Sequence, residues 1–461
     1  MTLRPYNIIM EKKLKMQDSI SKTNISKFNK DFKNCPTNKI SRNALTRTQI
    51  NNIAMDWDAF RMIDHTYSDV VNNEMKKVTN QKSSGRCWGF AGLNLMRISL
   101  AEKYNLGNFE FSQNYFMFFD KLEKSNYFLE NILKTLDESY DSRLMMHLLD
   151  SPVQDGGQWD MFVNLIEKYG AVPQSVMAES FQSSQSRMMN QFLTRKLREF
   201  SWTLRKMNTK GKKLSELRKE KEKMMSVIYS MLCVCLGNPP NKFDWQTRDK
   251  KNKFIRLTDL NPVDFYKKHS GVNLKEKLCL IHAPMSNKKM NELYTVSFLG
   301  NVIEGQIIKY ANVELADIKK AAIKSIKNNE SVWFGCDVGK MFHRDLGLMD
   351  MDLYDYEALF NTNFSMNKAT RLEYGDSMMT HAMLFTGVDI INGKPRRWRV
   401  ENSWGVKGGD KGYYLMTDKW FDEYNYEIVV DKKYLPKRIL ELFDKEPVKL
   451  APWDPMGALA I

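Results

Sequence analysis

The segment Asn80-Gln81-Lys82-Ser83-Ser84-Gly85-Arg86-Cys87-Trp88-Gly89-Phe90 places a thiol directly after a Ser-Ser-Gly turn. The thiol also heads a run, Cys87 to Tyr104, that is apolar nearly all round. Such a run predicts a helix buried over most of its surface. A cysteine in the first turn of that helix meets free N–H groups and the positive end of the helix dipole, and both favour the nucleophilic thiolate. Gln81 lies across the turn, and its side-chain amide with the backbone N–H of Cys87 could form an oxyanion hole. The same placement suits a small buried cysteine that caps a core helix, and spacing alone leaves both readings open.

A cysteine nucleophile needs a base, and the base needs an orienting partner. Of the six histidines, His381 opens an apolar, strand-like run, His381 to Val388, that could fix its ring. A turn at Asn392-Gly393 then leads to Glu401-Asn402-Ser403-Trp404-Gly405. Asn402 at the end of that second strand could accept the imidazole N–H, and Trp404 could shield the bond from water. The other histidines offer less. His65 and His269 lie in polar sequence, His282 and His343 in expected loops, and His147 in a helical run, Arg143 to Asp150, with no evident partner. Cys233-x-Cys235 stands in an apolar helical run without a matching His or Cys pair and reads as core packing, not as a zinc site. No metal and no cofactor is expected.

The elements that must position these residues change character along the chain. Residues 1–50 are polar and basic with scattered hydrophobics and read as an arm of extended chain or short helices. Residues 51–184 carry helical patterns, including 158–169, which ends at Gly170. Residues 185–275 form a basic helical insertion with a break near Gly211 and an end at Pro239-Pro240. Between Arg187 and Lys223 it holds 13 Lys/Arg against 4 Asp/Glu. A solvated helical face and a basic surface lining a cavity or binding a polyanion both fit that count. From 276 to 440 the period shortens to that of strands, with Val, Tyr, Trp and Ile enriched. Residues 441–461 form a C-terminal segment. Helices first and strands later make the chain α+β.

Composition bounds the rest. The chain has 461 residues, 43% hydrophobic, which excludes wholesale disorder. No window approaches the ~18 uninterrupted apolar residues of a membrane span, and the start lacks a signal-peptide core, so a cytoplasmic protein is expected. Six cysteines at irregular spacing fit reduced thiols. The net charge of +15 admits nucleic acid as a partner, and a lysine- and asparagine-rich proteome gives the same balance. No zinc-finger spacing, RNA-recognition signature or phosphate loop accompanies it.

NQKSSGRCWGF, THAML and ENSWG resemble the Cys, His and Asn boxes of the papain-like cysteine peptidases. The separation between the Cys and His boxes exceeds that of ordinary papain relatives by about the length of the basic insertion. That layout is similar to the bleomycin hydrolase/aminopeptidase C branch, as are FEFSQNYFMFFDKLEKSNYFLE, DGGQWDMFVNLIEKYGAVP, YTVSFLGNVIEG, VWFGCDVGK and the ending APWDPMGALAI. The resemblance implies a papain-like two-subdomain fold, with a helical subdomain and a β-barrel-like one, the insertion and an extended C-terminal arm. It implies Cys87 as nucleophile, His381 as general acid/base, Asn402 as its orienter and Gln81 as oxyanion donor. It assigns Gly156 and Gly157 to a wall against which substrate backbone pairs, where an ordinary turn before a helix is the alternative. It carries the C-terminal arm into the active site, so that a terminal carboxylate meets the substrate's free amine. Ile461 departs from the polar or charged ending of the branch. Some members remove their last residue, which makes Ala460 the other candidate carboxylate. Gly89 stands where a larger residue is usual, which implies a looser helix start, and Ala178 replaces an expected proline.

The expected function is therefore a cytosolic thiol aminopeptidase acting on peptides with a free N-terminus, and the resemblance adds a homohexamer. The alternatives are an endopeptidase with a displaced arm, or a nucleic-acid-binding assembly in which peptidase activity is secondary.

Overall fold

The computed structural model describes residues 19–458 apart from 62, 73, 74 and 76. Ala460 and Ile461 lie outside the described residues. The chain divides into two units. The smaller combines the described part of residues 1–62 with Asp352–Ser365. It holds helices Lys22–Asn34 and Pro36–Leu45, so the N-terminal segment takes the short-helix form. Ser21 caps the first of these by accepting from the Asn24 N–H.

The larger unit, the described part of Ile63–Met351 with Met366–Ile461, carries every candidate site residue among the described residues. The architecture is α+β, as expected. Helix Cys87–Lys103 is buried along most of its length. Two glycines allow this closeness, since a Cβ at Gly89 would lie 2.3 Å from the Phe116 ring and one at Gly92 2.6 Å from the Phe162 ring. The helix start is therefore tight rather than loose, and aromatic rings fill the volume that a larger residue at position 89 would take. Phe116 belongs to helix Gln113–Lys134 and Phe162 to helix Trp159–Tyr169, which pack on the Cys87 helix. Gly170, at φ +70°, ends the latter as expected.

The strand pattern read from 276 onward forms one mixed sheet. Its central order is Lys277–Ile281, Asn425–Asp431, Val332–Cys336, His381–Ile391, Lys394–Glu401 and Tyr413–Thr417, each antiparallel to the next. The apolar faces of these strands pack against helix Leu315–Lys327 and Trp420–Phe421. The buried ion pair Arg97–Glu401, 2.5 Å, ties the Cys87 helix to this sheet one residue before Asn402.

The insertion consists of helices Arg187–Thr209 and Leu214–Leu236 with Gly211 between them at φ +76°. It is not wholly helical. Phe243–Arg248 and Phe254–Leu260 form an antiparallel hairpin whose strands alternate buried or half-buried residues with exposed ones. Asp249 closes its turn by accepting from the Lys251 and Lys253 N–H groups, and Asn252 takes a positive φ. His343 is likewise in a short strand, Phe342–His343, not a loop. No helix among the described residues is long and apolar enough to cross a membrane.

Candidate active site

Cys87 is the first residue of its helix and is 1% exposed. The loop before it is held at four points. Gln81 N–H donates to the Ser403 carbonyl at 2.8 Å, and Gly405 N–H to the Thr79 carbonyl at 2.9 Å. These bonds fasten the Gln81 loop to the Asn402 segment. Arg86 forms a bidentate pair with Glu179, at 2.9 and 2.7 Å, and donates to Ser84 Oγ. Gly85 N–H donates to Asp155 Oδ2 at 2.9 Å.

His381 opens the strand that pairs with Val332–Cys336. Its Nε2 donates to Asn402 Oδ1 at 2.8 Å, which leaves Nδ1 as the ring's acceptor. The Trp404 indole lies beside the imidazole, with centroids 4.8 Å apart, and the Arg344 guanidinium lies over the Trp404 ring at 4.6 Å. Burial pushes the His381 pKa down to about 4; the Asn402 bond opposes this and the Arg344 charge adds to it. Burial likewise pushes the Cys87 thiol up to about 12, against N–H donors on its sulfur from Ala382 and Trp88. The Ala382 contact sets the sulfur beside the residue that follows His381. Burial thus disfavours the charged form of both groups, and the imidazole's free nitrogen is the one that can take a proton.

Gln81 is 6% exposed and fully oriented. Its Oε1 accepts from Ser403 Oγ at 2.6 Å, and its Nε2 donates to the Ser84 carbonyl at 2.6 Å. One N–H of the amide remains for a developing oxyanion. Gln81, Cys87, His381 and Trp404 line one cavity of about 1160 Å³. This arrangement can activate a thiol, stabilise an oxyanion and return a proton.

Sequence reasoning missed Asp155 and Ser403 as organising residues. Asp155 receives Lys121 at 2.5 Å, Asn190 at 2.7 Å, Ser186 and the Gly85 N–H, and its backbone carbonyl takes the Trp88 indole N–H at 2.7 Å. Burial raises its pKa, but Lys121 and the hydroxyl and amide donors outweigh that and hold the carboxyl well below the ordinary range. Ser403 sits inside ENSWG, where an unassigned hydroxyl between Asn402 and Trp404 was the available signal. Gly156 and Gly157 are buried. At Gly157 the need for glycine has an internal cause, since a Cβ would lie 2.5 Å from the Trp88 ring. The Gly156 carbonyl accepts from the buried Lys124 ammonium at 2.6 Å. Of the remaining histidines, His269 is half-buried against Phe265 and Tyr104, and His147 packs on Trp453.

The C-terminal segment is anchored close to this site. Val448–Leu450 runs parallel to Glu292–Val296, and Trp453 lies under Arg143 at 3.9 Å. Asp454 pairs with the fully buried Lys288 at 2.8 Å, and Met456 is buried. The Ala458 carbonyl then accepts from Gln158 Nε2 at 2.8 Å, one residue after Gly157.

A helix-borne thiol, a strand-borne imidazole held by an asparagine amide and a glutamine amide across the turn define the class: a papain-like thiol peptidase. The chain belongs to the Peptidase C1-like family, whose model matches residues 19–457. It is 45% identical over 446 residues to Aminopeptidase C of Listeria monocytogenes serovar 1/2a, covering 97% of this chain and 100% of that protein. It is 44% identical over 444 residues to Bleomycin hydrolase of Homo sapiens, covering 95% and 97%. The crystal structure of pepw from Lactobacillus rhamnosis hn001 (dr20) superposes with a TM-score of 0.94 at 45% identity, covering 96% of this chain and 100% of that one.

Proposed function

We propose that this protein is a thiol aminopeptidase in which Cys87, His381, Asn402 and Gln81 perform the chemistry and residues 441–461 limit access. The observation that carries the reading is the His381–Asn402 bond, shielded by Trp404 and opening into the cavity that also holds Cys87 and Gln81. The relatives named Aminopeptidase C and Bleomycin hydrolase span nearly the whole chain and support the same activity.

Cys87 sulfur attacks the carbonyl carbon of the scissile bond as its proton passes to His381 Nδ1. Gln81 Nε2–H and the Cys87 N–H receive the oxyanion. Asn402 holds the imidazolium through Nε2–H while Nδ1–H protonates the leaving amine. A thioester remains. Water attacks it, His381 takes the water's proton and returns it to the sulfur, and the acyl group leaves as an acid.

The anchoring of Val448–Ala458 beside Gln158 supports an arm that fills the cleft up to the substrate's amine, with Ala460 or Ile461 supplying the carboxylate. Gly156 and Gly157 would meet substrate backbone. The resemblance also points to a two-subdomain division and a homohexamer, and the net charge of +15 with the basic insertion to weak nucleic-acid binding at most, in a protein expected to be cytoplasmic; native mass and binding of RNA at low salt test the oligomer and the nucleic-acid reading.

The test is hydrolysis of a fluorogenic substrate with a free amine beside its amine-blocked twin, in reducing buffer, by the full chain and by a chain lacking 457–461. The full chain should cleave only the free-amine substrate, Cys87→Ala should cleave neither, and the truncated chain should gain the blocked one. Hydrolysis retained by Cys87→Ala refutes the assignment; equal cleavage of both substrates by the full chain turns the reading to an endopeptidase with a displaced arm.

A further inference from the structure

We propose that the insertion wall of the active-site cavity is a carboxylate-recognition site, with Arg187 and Arg195 as its specificity-determining residues. The proposal deepens the peptidase reading above and rests on it.

Helix Arg187–Thr209 contributes Arg187, Asn190, Gln191, Thr194, Arg195 and Arg198 to the cavity that holds Cys87 and His381. Their spacing puts them on one helix face, about 16 Å long at 1.5 Å per residue. The face is docked to the catalytic loop, not loosely apposed to it. Ser83 N–H donates to the Ser184 carbonyl at 3.0 Å, and Ser186 and Asn190 both bond Asp155.

The charges on this wall do not cancel. Asp155 is saturated by Lys121, Ser186, Asn190 and Gly85. Asp337, on the opposite wall, accepts from the Ser377 and Thr380 hydroxyls. Arg198 spends its guanidinium on the Leu149 and Asp150 carbonyls, at 2.8 and 2.7 Å. Arg187 and Arg195 have no hydrogen-bond or ion-pair partner among the described residues, and neither does the Lys82 ammonium across the cavity.

The other cations of the same helix behave differently. Lys196 pairs with Glu199, Arg205 donates to the Thr135 carbonyl, and Lys206 lies over the Trp202 ring. Unpartnered charge is thus confined to the face that lines the active site. A guanidinium presents a planar fork that matches a carboxylate with two parallel N–H···O bonds. The ligand is therefore a carboxylate on the peptide, borne by an acidic side chain or by the far end of a short substrate.

The test compares kcat/KM across one peptide series. Gln is exchanged for Glu at each of the first three positions, and a dipeptide with a free terminal carboxylate is compared with its amide. At least one acidic member should exceed its neutral twin by about fivefold, the scale of a partly exposed ion pair. The ratio should fall towards one at high salt and in Arg195→Gln or Arg187→Gln, with partial recovery in Arg195→Lys. The position of the preference separates a side-chain source from a terminal one. Equal cleavage of acidic and neutral members by an active wild type overturns the proposal, and so does a preference that survives both substitutions. Should the wild type cleave nothing, the peptidase reading fails by itself. Binding of a fluorescent Glu-containing peptide to the full chain, against its Arg187→Gln/Arg195→Gln form, then still decides the carboxylate site: loss of binding upholds it and equal binding overturns it.

Discussion

Asp155→Asn is the most informative single substitution. The change keeps the side chain's shape and removes its charge. It leaves Lys121, whose side chain is wholly buried, without the carboxylate 2.5 Å away. The other contact of that ammonium is the Val153 carbonyl at 3.4 Å. Removing one partner of a buried pair costs about 3–5 kcal/mol, because the remaining charge stays buried and uncompensated. Unfolding entropy of about 2.1 cal/mol/K per residue over 461 residues comes to about 1 kcal/mol/K. The expected fall in Tm is therefore about 3–5 °C. The pH dependence gives a second readout. The folded Asp155 pKa is depressed, so its stabilisation is fully present above the unfolded carboxylate value of about 4 and is lost as pH falls below it. The wild-type Tm should drop through that window more steeply than that of Asp155→Asn. Pairing the change with Lys121→Met should restore much of the lost stability. Calorimetric scans of the four proteins of this cycle between pH 3 and 7 measure all three effects. A shift below 1 °C at pH 7, or a double variant no more stable than Asp155→Asn, would refute the reasoning.

Three further outcomes follow from the site. Ser403→Ala removes the hydroxyl that fixes Gln81 Oε1; it should lower kcat about tenfold, against the ~10²–10³ of Gln81→Ala, with KM little changed, and an equal loss in both would show that Ser403 does more than orient the amide. The acid limb of kcat/KM should lie near pH 4, well below the ordinary histidine value of about 6.5, because His381 must be unprotonated to accept the thiol proton; Arg344→Gln should move that limb upward, and a wild-type limb near 6.5 would contradict the burial argument. Gly157→Ala drives a methyl into the Trp88 ring; it should cost about 1–3 kcal/mol by overpacking and lower Tm and turnover together, whereas loss of peptide binding at unchanged Tm would assign the glycine to substrate approach instead.

How much of this was legible in the sequence depended on the range of the interaction. An apolar run all round marked the Cys87 helix, and the periods of 3.6 and 2 marked the insertion helices and the main strands, because those patterns arise from which face is buried. The Phe243–Leu260 hairpin escaped because Trp, Gln, Thr and Arg in short alternation between proline and lysine runs look like loop. Gly89 read as a loosened helix start because its true neighbour, Phe116, is distant in the chain and only packing brings the ring over it. Asp155 looked like an ordinary turn residue. Its role depends on Lys121, Ser186 and Asn190, none of which carries a local signal for that partnership.

The sequence by itself determined the chemistry available: a thiol at a helix start, an imidazole at a strand start, an amide at the end of the next strand and a second amide across a turn. These are properties of residue type and local spacing, and the backbone geometry of helix and strand follows from them. Tertiary structure alone decided how those groups are held and what surrounds them. It put Ser403 on Gln81, Asp155 under the catalytic loop, Arg344 behind Trp404 and, on the cavity wall, two arginines with no partner among the described residues. The physical reason is that burial, which shifts the Cys87 and His381 pKa values, and charge pairing, which gives Arg187 and Arg195 no partner among the described residues, are sums over neighbours from across the whole fold, and no window of sequence contains those neighbours.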